Sequence, residues 1–268
     1  MTEQREANPD PTYLLLSHFL TVWPLALARS ALRTLEALAF RRLGPIDGSV
    51  LDIGCGDGVF GRWLTPHGEL WGVDTDVARL RAAAARRVHV VAADATSLPF
   101  PARAFDVAVA NSTLEHVADP CAAIHEAERV LRPGGRLVFT VPLQTALDNL
   151  LFSKAIGARY QELLNDYWHH VTMQSADAWQ AMVGDCAPEL TFVRSLPIES
   201  RRQTEVIDLL WSVTVTEGPI IRQHGELADA QRDGLARMLA GLLAGAADRQ
   251  GAEDPHSEVL LEYVKMSR

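Results

Sequence analysis

The residues best equipped for chemistry are a glycine loop and two aspartates that follow it. Gly54, Gly56 and Gly58 alternate in Val50-Leu51-Asp52-Ile53-Gly54-Cys55-Gly56-Asp57-Gly58. Glycines so placed permit a sharp turn and let a ligand approach bare main chain. Asp74 lies 20 residues beyond Gly54, the distance at which an acidic residue in a nucleotide-binding sheet hydrogen-bonds both ribose hydroxyls. A plainer role for Asp74 is helix capping, since Asp76 stands beside it. Asp94 follows in Ala92-Ala93-Asp94-Ala95.

These groups meet only if parallel strands carry them to one edge. Ser49–Ile53 reads as a buried strand running into the loop. Val59–Leu64 reads as the helix after it, whose first N–H groups and partial positive charge would face a ligand. Leu70–Val73 is a strand stopping at Asp74, and Asp76 caps a helix running through about Arg86. Val88–Ala92 is a strand reaching Asp94, and Phe105–Ala110 is another. Asp119-Pro120 opens a helix to about Leu131. Pro133-Gly134-Gly135 is a turn before a strand over Arg136–Val141. Strand and helix in steady alternation predict a parallel sheet covered by helices on both faces. Its strand ends converge on one crevice, so the loop, Asp74 and Asp94 point at one adenosine-like ligand.

Apolar residues recur at helical spacing before this core, at Leu25, Ala28, Leu32, Leu35, Leu38 and Ala39. Pro24 divides the region into two helices and Gly44-Pro45 ends it. Beyond Pro142, residues 145–170 and 203–249 read as mostly helical, the latter broken near Gly218-Pro219. Ser175–Met182 reads as a helix, and Leu190–Ser195 and Glu258–Val264 as strands. The expected organisation is an N-terminal helical lid over 1–44, a ligand-binding core over 45–145, and the remaining strands with an inserted helical cap over 146–268.

The chain has 268 residues, 48% of them hydrophobic, and a formal net charge of −9. That charge repels a phosphate backbone and argues against nucleic acid as a partner. The most apolar stretch, Tyr13–Ala28, is too short and too broken to span a bilayer. The polar start, with Glu3, Glu6 and Asp10, is unlike a signal peptide. A cytoplasmic chain is expected. Cys55, Cys121 and Cys186 are odd in number, far apart and in no CxxC pattern, so neither a disulfide scaffold nor a zinc site is expected.

The charge of the loop selects among adenosine ligands. Asp57 stands at the helix entry and Asp52 just before the turn. Negative charge there disfavours a pyrophosphate and suits an ammonium or sulfonium group, which favours S-adenosylmethionine (SAM) over NAD.

The sequence resembles the class I SAM-dependent methyltransferases, particularly those acting on small molecules. The matching blocks are LDIGCGDG at 51–58, GVDTD at 72–76, ADATSLPF at 93–100, FDVAVANSTLEHV at 105–117 and LRPGGRLVFTVP at 131–142. The resemblance implies a Rossmann-like, seven-stranded, mostly parallel sheet with the last strand antiparallel. It implies that Gly54, Cys55, Gly56 and Gly58 form the loop around the amino-acid part of SAM and that Asp52 helps hold its ammonium. Asp74 would hold the ribose with Thr75 near the adenine, Asp94 and Ala95 would meet the adenine edge, and Asn111 and Ser112 would lie near the methyl group.

Methyl transfer from a sulfonium is an in-line displacement, so the protein mainly aligns nucleophile, carbon and sulfur. A general base is needed only if the acceptor must lose a proton. His116 is the first candidate base, with a structural place in the cofactor wall as the alternative, and Glu115 reads as a helix-start or packing residue. Tyr167-Trp168-His169-His170 is the second candidate cluster. Its aromatics either wall an acceptor pocket or cement the insert to the sheet, and His169 and His170 join His116 as candidate bases. No metal is expected, because there is no HxH or HExxH pattern and neighbouring residues on a helix point apart. The expected partner is a small-molecule acceptor, and the N-terminal helices either gate the pocket or form a homodimer contact. Two alternatives remain open: a SAM-binding partner without catalysis, and a methyltransferase that also promotes cyclisation of its product.

Overall fold

The computed structural model describes residues 10–23, 26–144, 169–210, 229–247 and 258–266. Tyr167 and Trp168, and most of the helical stretch expected over 145–170, lie outside the described residues, as does the expected break near Gly218-Pro219.

Two helices come first, α1 (Pro11–Val22) and α2 (Leu27–Arg41), and the break between them falls where Pro24 was expected to place it. Asp10 caps α1 by accepting from the Thr12 N–H. Then follow β1 (Ser49–Ile53), α3 (Val59–Leu64), β2 (Glu69–Asp74), α4 (Val77–Ala85), β3 (His89–Ala92) and β4 (Phe105–Asn111). A 3₁₀ turn over Leu114–His116 leads to α5 (Pro120–Val130) and β5 (Leu131–Pro142). The chain closes with α6 (Ala176–Cys186), β6 (Leu190–Pro197), a helical stretch over 201–210, α7 (Asp229–Ala246) and β7 (Glu258–Lys265). Asp76 and Asp119 cap α4 and α5 as expected, Asp76 accepting from the Ala78 and Arg79 N–H groups and Asp119 from that of Ala122.

The seven strands form one sheet in the order β3-β2-β1-β4-β5-β7-β6. The last strand, β7, runs antiparallel to both of its neighbours, and the other pairings are parallel. Alternation along β4 assigns its side chains to two cores: Val107 and Val109 face α1, α2 and α7, whereas Ala108 and Ala110 face α5 and α6. Both faces are covered at the central strands β1 and β4, which are buried along most of their length, whereas the edge strand β6 is largely exposed. The expected turn at Pro133-Gly134-Gly135 is a bulge inside β5. The pairing of β4 with β5 steps from Phe105–Leu131 to Val107–Arg136, and the extra residues loop out at Gly134, whose φ is +79°.

One cysteine expectation is corrected. Cys121 and Cys186 are joined in a disulfide, with Cα atoms 5.4 Å apart. Their separation of 65 residues hid this, because α5 and α6 return to the same face of the sheet and pack side by side. Among the described residues no helix is long and apolar enough to cross a membrane.

Candidate active site

At the end of β1 the chain turns through Gly54, Gly56 and Gly58, with φ of +73°, +54° and +74°. A Cβ on Gly54 would stand 2.4 Å from the Thr113 side chain, and one on Gly58 would stand 3.0 Å from the Ala83 main chain. Only glycine satisfies both the left-handed backbone and the close approach. Asp74, at the end of β2, leans across this loop. Its Oδ2 accepts from the Gly56 N–H and its Oδ1 from the Asp76 N–H, each at 2.8 Å. Helix capping therefore belongs to Asp76, and Asp74 keeps lone pairs for a further donor. Asp94 accepts from the Thr96 N–H at 2.8 Å and hydroxyl at 2.7 Å, and these bonds hold its carboxyl below the usual range.

Next to the loop lies a crevice. Of the predicted residues it brings together Asp52, Gly54, Cys55, Gly56, Asn111 and Ser112. Gly58, Asp74, Thr75, Asp94 and Ala95 are not among its lining residues; they lie in the loop and at or just past the ends of β2 and β3. The crevice also has a wall from the N-terminal helices, formed by Trp23, Arg29 and Arg33. The Trp23 indole N–H donates to Asp57 at 3.1 Å, and Phe19 stacks between Trp23 and Phe60, which locks α1 onto α3. Asp52 is 4% exposed. Burial pushes its carboxyl up to about 7; the Arg33 charge opposes this, and those of Asp74 and Asp57 add to it.

A buried polar network stands behind Asn111 and Ser112. One Arg33 nitrogen donates to both Glu36 oxygens and, at 3.0 Å, to Ser112 Oγ. Ser112 Oγ donates to Glu36 at 2.8 Å and lies 3.3 Å from Glu258. The Asn111 amide donates to Glu36 at 3.1 Å and accepts from Thr140 at 3.2 Å. Glu36 is 0% and Glu258 4% exposed. Burial, reinforced by the charges of Glu36 and Glu199, pushes Glu258 well above the carboxylate range. Desolvation opposes the charge on Arg33, but Glu36 outweighs it and raises the guanidinium above its ordinary value. Sequence reasoning missed Arg33, Glu36 and Glu258. Its one available signal was a charged pair three residues apart inside a helix otherwise read by its apolar periodicity.

The candidate histidines are not among the residues that line the crevice. The main-chain carbonyl of Glu115 accepts from the Val171 and Thr172 N–H groups at 2.7 and 3.1 Å, which pins residues 169–172 beside the 3₁₀ turn. His116 and His170 consequently meet, with ring centroids 5.1 Å apart. His169 contributes its main-chain carbonyl, 3.1 Å from His116 Nδ1. Burial lowers the His116 imidazole, and it lowers His170 to about 4. Glu115 is 1% exposed, and burial pushes its carboxyl up to about 8.

Comparison with known proteins bears on the fold and on one segment of the chain. Residues 51–139 match a family model described as a methyltransferase domain. A demethylmenaquinone methyltransferase of Mycobacterium bovis is 42% identical over 128 residues, 46% of this chain and 50% of that protein. The chain thus spans about half the length of that relative. Among solved structures, a putative sarcosine dimethylglycine methyltransferase from Galdieria sulphuraria superposes with a TM-score of 0.59 at 16% identity, covering 90% of this chain and 88% of the other. The [4+2]-cyclase SpnF superposes with a TM-score of 0.54 at 22% identity, covering 89% and 82%. Residues 51–139 are thus similar to a methyltransferase domain, and the chain shares its fold with these solved structures.

Proposed function

We propose that the chain transfers the methyl group of SAM to a small organic molecule, in the setting of bacterial specialised metabolism. The observation that carries this reading is the shared position of Asp52, the bare glycine loop and Asn111-Ser112 around one crevice, with Asp74 leaning over the loop from the next strand. The residues fit the cofactor. Asp52 is a buried carboxylate short of counter-charge, suited to an ammonium. Gly54 and Gly56 present main chain without side chains. Asp74 and Asp94 offer acceptors for the ribose and the adenine amine. Arg29 and Arg79 line the same crevice and supply positive charge for the methionine carboxylate. SAM brings an already activated methyl on a sulfonium, so the protein's work is alignment and exclusion of water. The acidic net charge of −9 and the cover given by Trp23 favour a small acceptor over a nucleic acid.

Calorimetric titration with S-adenosylhomocysteine tests the reading: one site per chain is expected, and NAD is expected not to bind. NAD binding without S-adenosylhomocysteine binding would overturn it. Incubation with labelled SAM and a metabolite extract should release S-adenosylhomocysteine, whereas a non-catalytic binder would release none.

Asp52 gives that titration a pH dependence. Its carboxyl titrates near 7 in the free protein, and an ammonium bound beside it favours the ionised form. Below pH 7 binding must first expel a proton, so affinity falls as pH falls. From pH 8 to pH 6 the expected weakening is about tenfold. Asp52→Asn should bind more weakly at pH 8 and show a flat profile, and an unchanged slope in that variant would assign the titration elsewhere.

A further inference from the structure

We infer that Glu115, His116 and His170 form a site for one divalent transition-metal cation beside the crevice, holding an acceptor hydroxyl to the methyl group. This rests on the methyl-transfer reading above and extends it to the acceptor class. One ligand atom from each of the three residues lies within 4.8 Å of the others. First-row cations take nitrogen and oxygen ligands at about 2.0–2.2 Å, so side-chain torsions of about an ångström would close the set around one ion.

Two independent features point to a ligand there. The first is Glu115. Its side chain is 1% exposed, and its Oε2 has no hydrogen-bond partner among the described residues. A buried carboxylate oxygen without a donor is costly, and a cation is the partner that would repay the cost most fully. The second is the orientation of His116. The His169 carbonyl only accepts, so the proton of His116 sits on Nδ1 and the lone pair on Nε2. That Nε2 stands 3.7 Å from Glu115 Oε1, too far for a hydrogen bond and open to a shared ion. A carbonyl behind the non-ligating nitrogen is the usual way an imidazole ligand is oriented. His169 adopts φ of +56° to present that carbonyl.

Two imidazoles and one carboxylate suit manganese, iron, cobalt or zinc better than magnesium or calcium, and leave coordination positions open. Arg33 lines the crevice, and its charge acts on both Glu115 and His116, so the site would lie close to the methyl group held there. A hydroxyl bound there becomes more acidic. It loses its proton to bulk buffer; the carbon–sulfur bond then breaks as the carbon–oxygen bond forms, and the sulfonium becomes a neutral thioether. The acceptor class is therefore an alcohol or phenol.

The test uses tag-free, chelator-treated full chain titrated with Co²⁺, read by visible absorption, and with Mn²⁺, read by electron paramagnetic resonance. One cation per chain is expected. Glu115→Gln, His116→Gln and His170→Gln should each weaken binding at least tenfold, and His67→Gln, on an exposed loop, should not. Melting curves and an S-adenosylhomocysteine titration on the same preparations report fold and crevice separately. If the chain binds S-adenosylhomocysteine but neither cation below about 1 mM, or if the three variants bind cations as the parent does, the site is refuted and the methyl-transfer reading stands. If the cation binds and the nucleoside does not, the site stands and its assignment to methyl transfer is refuted.

Discussion

Asp74→Ala is expected to weaken S-adenosylhomocysteine binding by about 100-fold or more, the largest single loss at the cofactor crevice. A ribose offers two hydroxyl donors, and hydrogen bonds to a charged acceptor contribute about 1.5 kcal/mol or more apiece. Two such bonds correspond to about 3 kcal/mol, a little over 100-fold in affinity. The substitution also removes the acceptor for the Gly56 N–H, so the loop loses the contact that fixes its turn over the crevice. Asp74→Asn keeps one acceptor oxygen without the charge and should fall between parent and alanine. Calorimetry on refolding-competent protein is the measurement. Were Asp74 only a brace for the loop, the melting temperature would drop while affinity at low temperature stayed within a few-fold.

The loop, Asp74 and the parallel strands were legible because they depend on local rules. Asp76 and Asp119 announce helix starts by capping chemistry, and Gly54 and Gly58 announce a turn that no other residue makes. Five apolar runs, each ended by a turn residue or a carboxylate, suffice to write down the parallel sheet, and the resemblance supplied the antiparallel strand. What stayed hidden was assembled across long stretches of chain. Arg33 meets Ser112 across 79 residues and Ser112 meets Glu258 across 146, so no spacing rule could pair them. Glu115 read as a helix-start or packing residue, whereas the lack of a partner for one of its oxygens among the described residues is a property of the folded site alone. The Cys121–Cys186 bond was missed for the same reason, since only the packing of α5 on α6 makes it.

That hidden network sets up the second large effect. Arg33→Met is expected to cost about 3 kcal/mol of stability at pH 8, the range for removing one partner from a buried ionic cluster. The Arg33 guanidinium is the cation whose charge acts on Glu36, Glu258 and Glu115 together, and methionine keeps the stem but withdraws the charge. The folded carboxyls of Glu258 and Glu115 already sit above their unfolded values, and without Arg33 they rise further. A carboxyl raised in the folded state destabilises progressively as pH climbs from its unfolded pKa through its folded one. The loss in Arg33→Met should therefore shrink as pH is lowered from 8 towards 5, where the folded carboxyls of Glu115 and Glu258 are neutral in parent and variant alike. Arg33→Lys restores a charge without the paired bonds and should recover part of the stability at pH 8. Denaturant unfolding at both pH values distinguishes the two possible origins of the loss. A deficit independent of pH would mean that the guanidinium matters for its place over the Phe60 ring; a deficit that grows with pH would mean that one cation holds three buried acids beside the crevice.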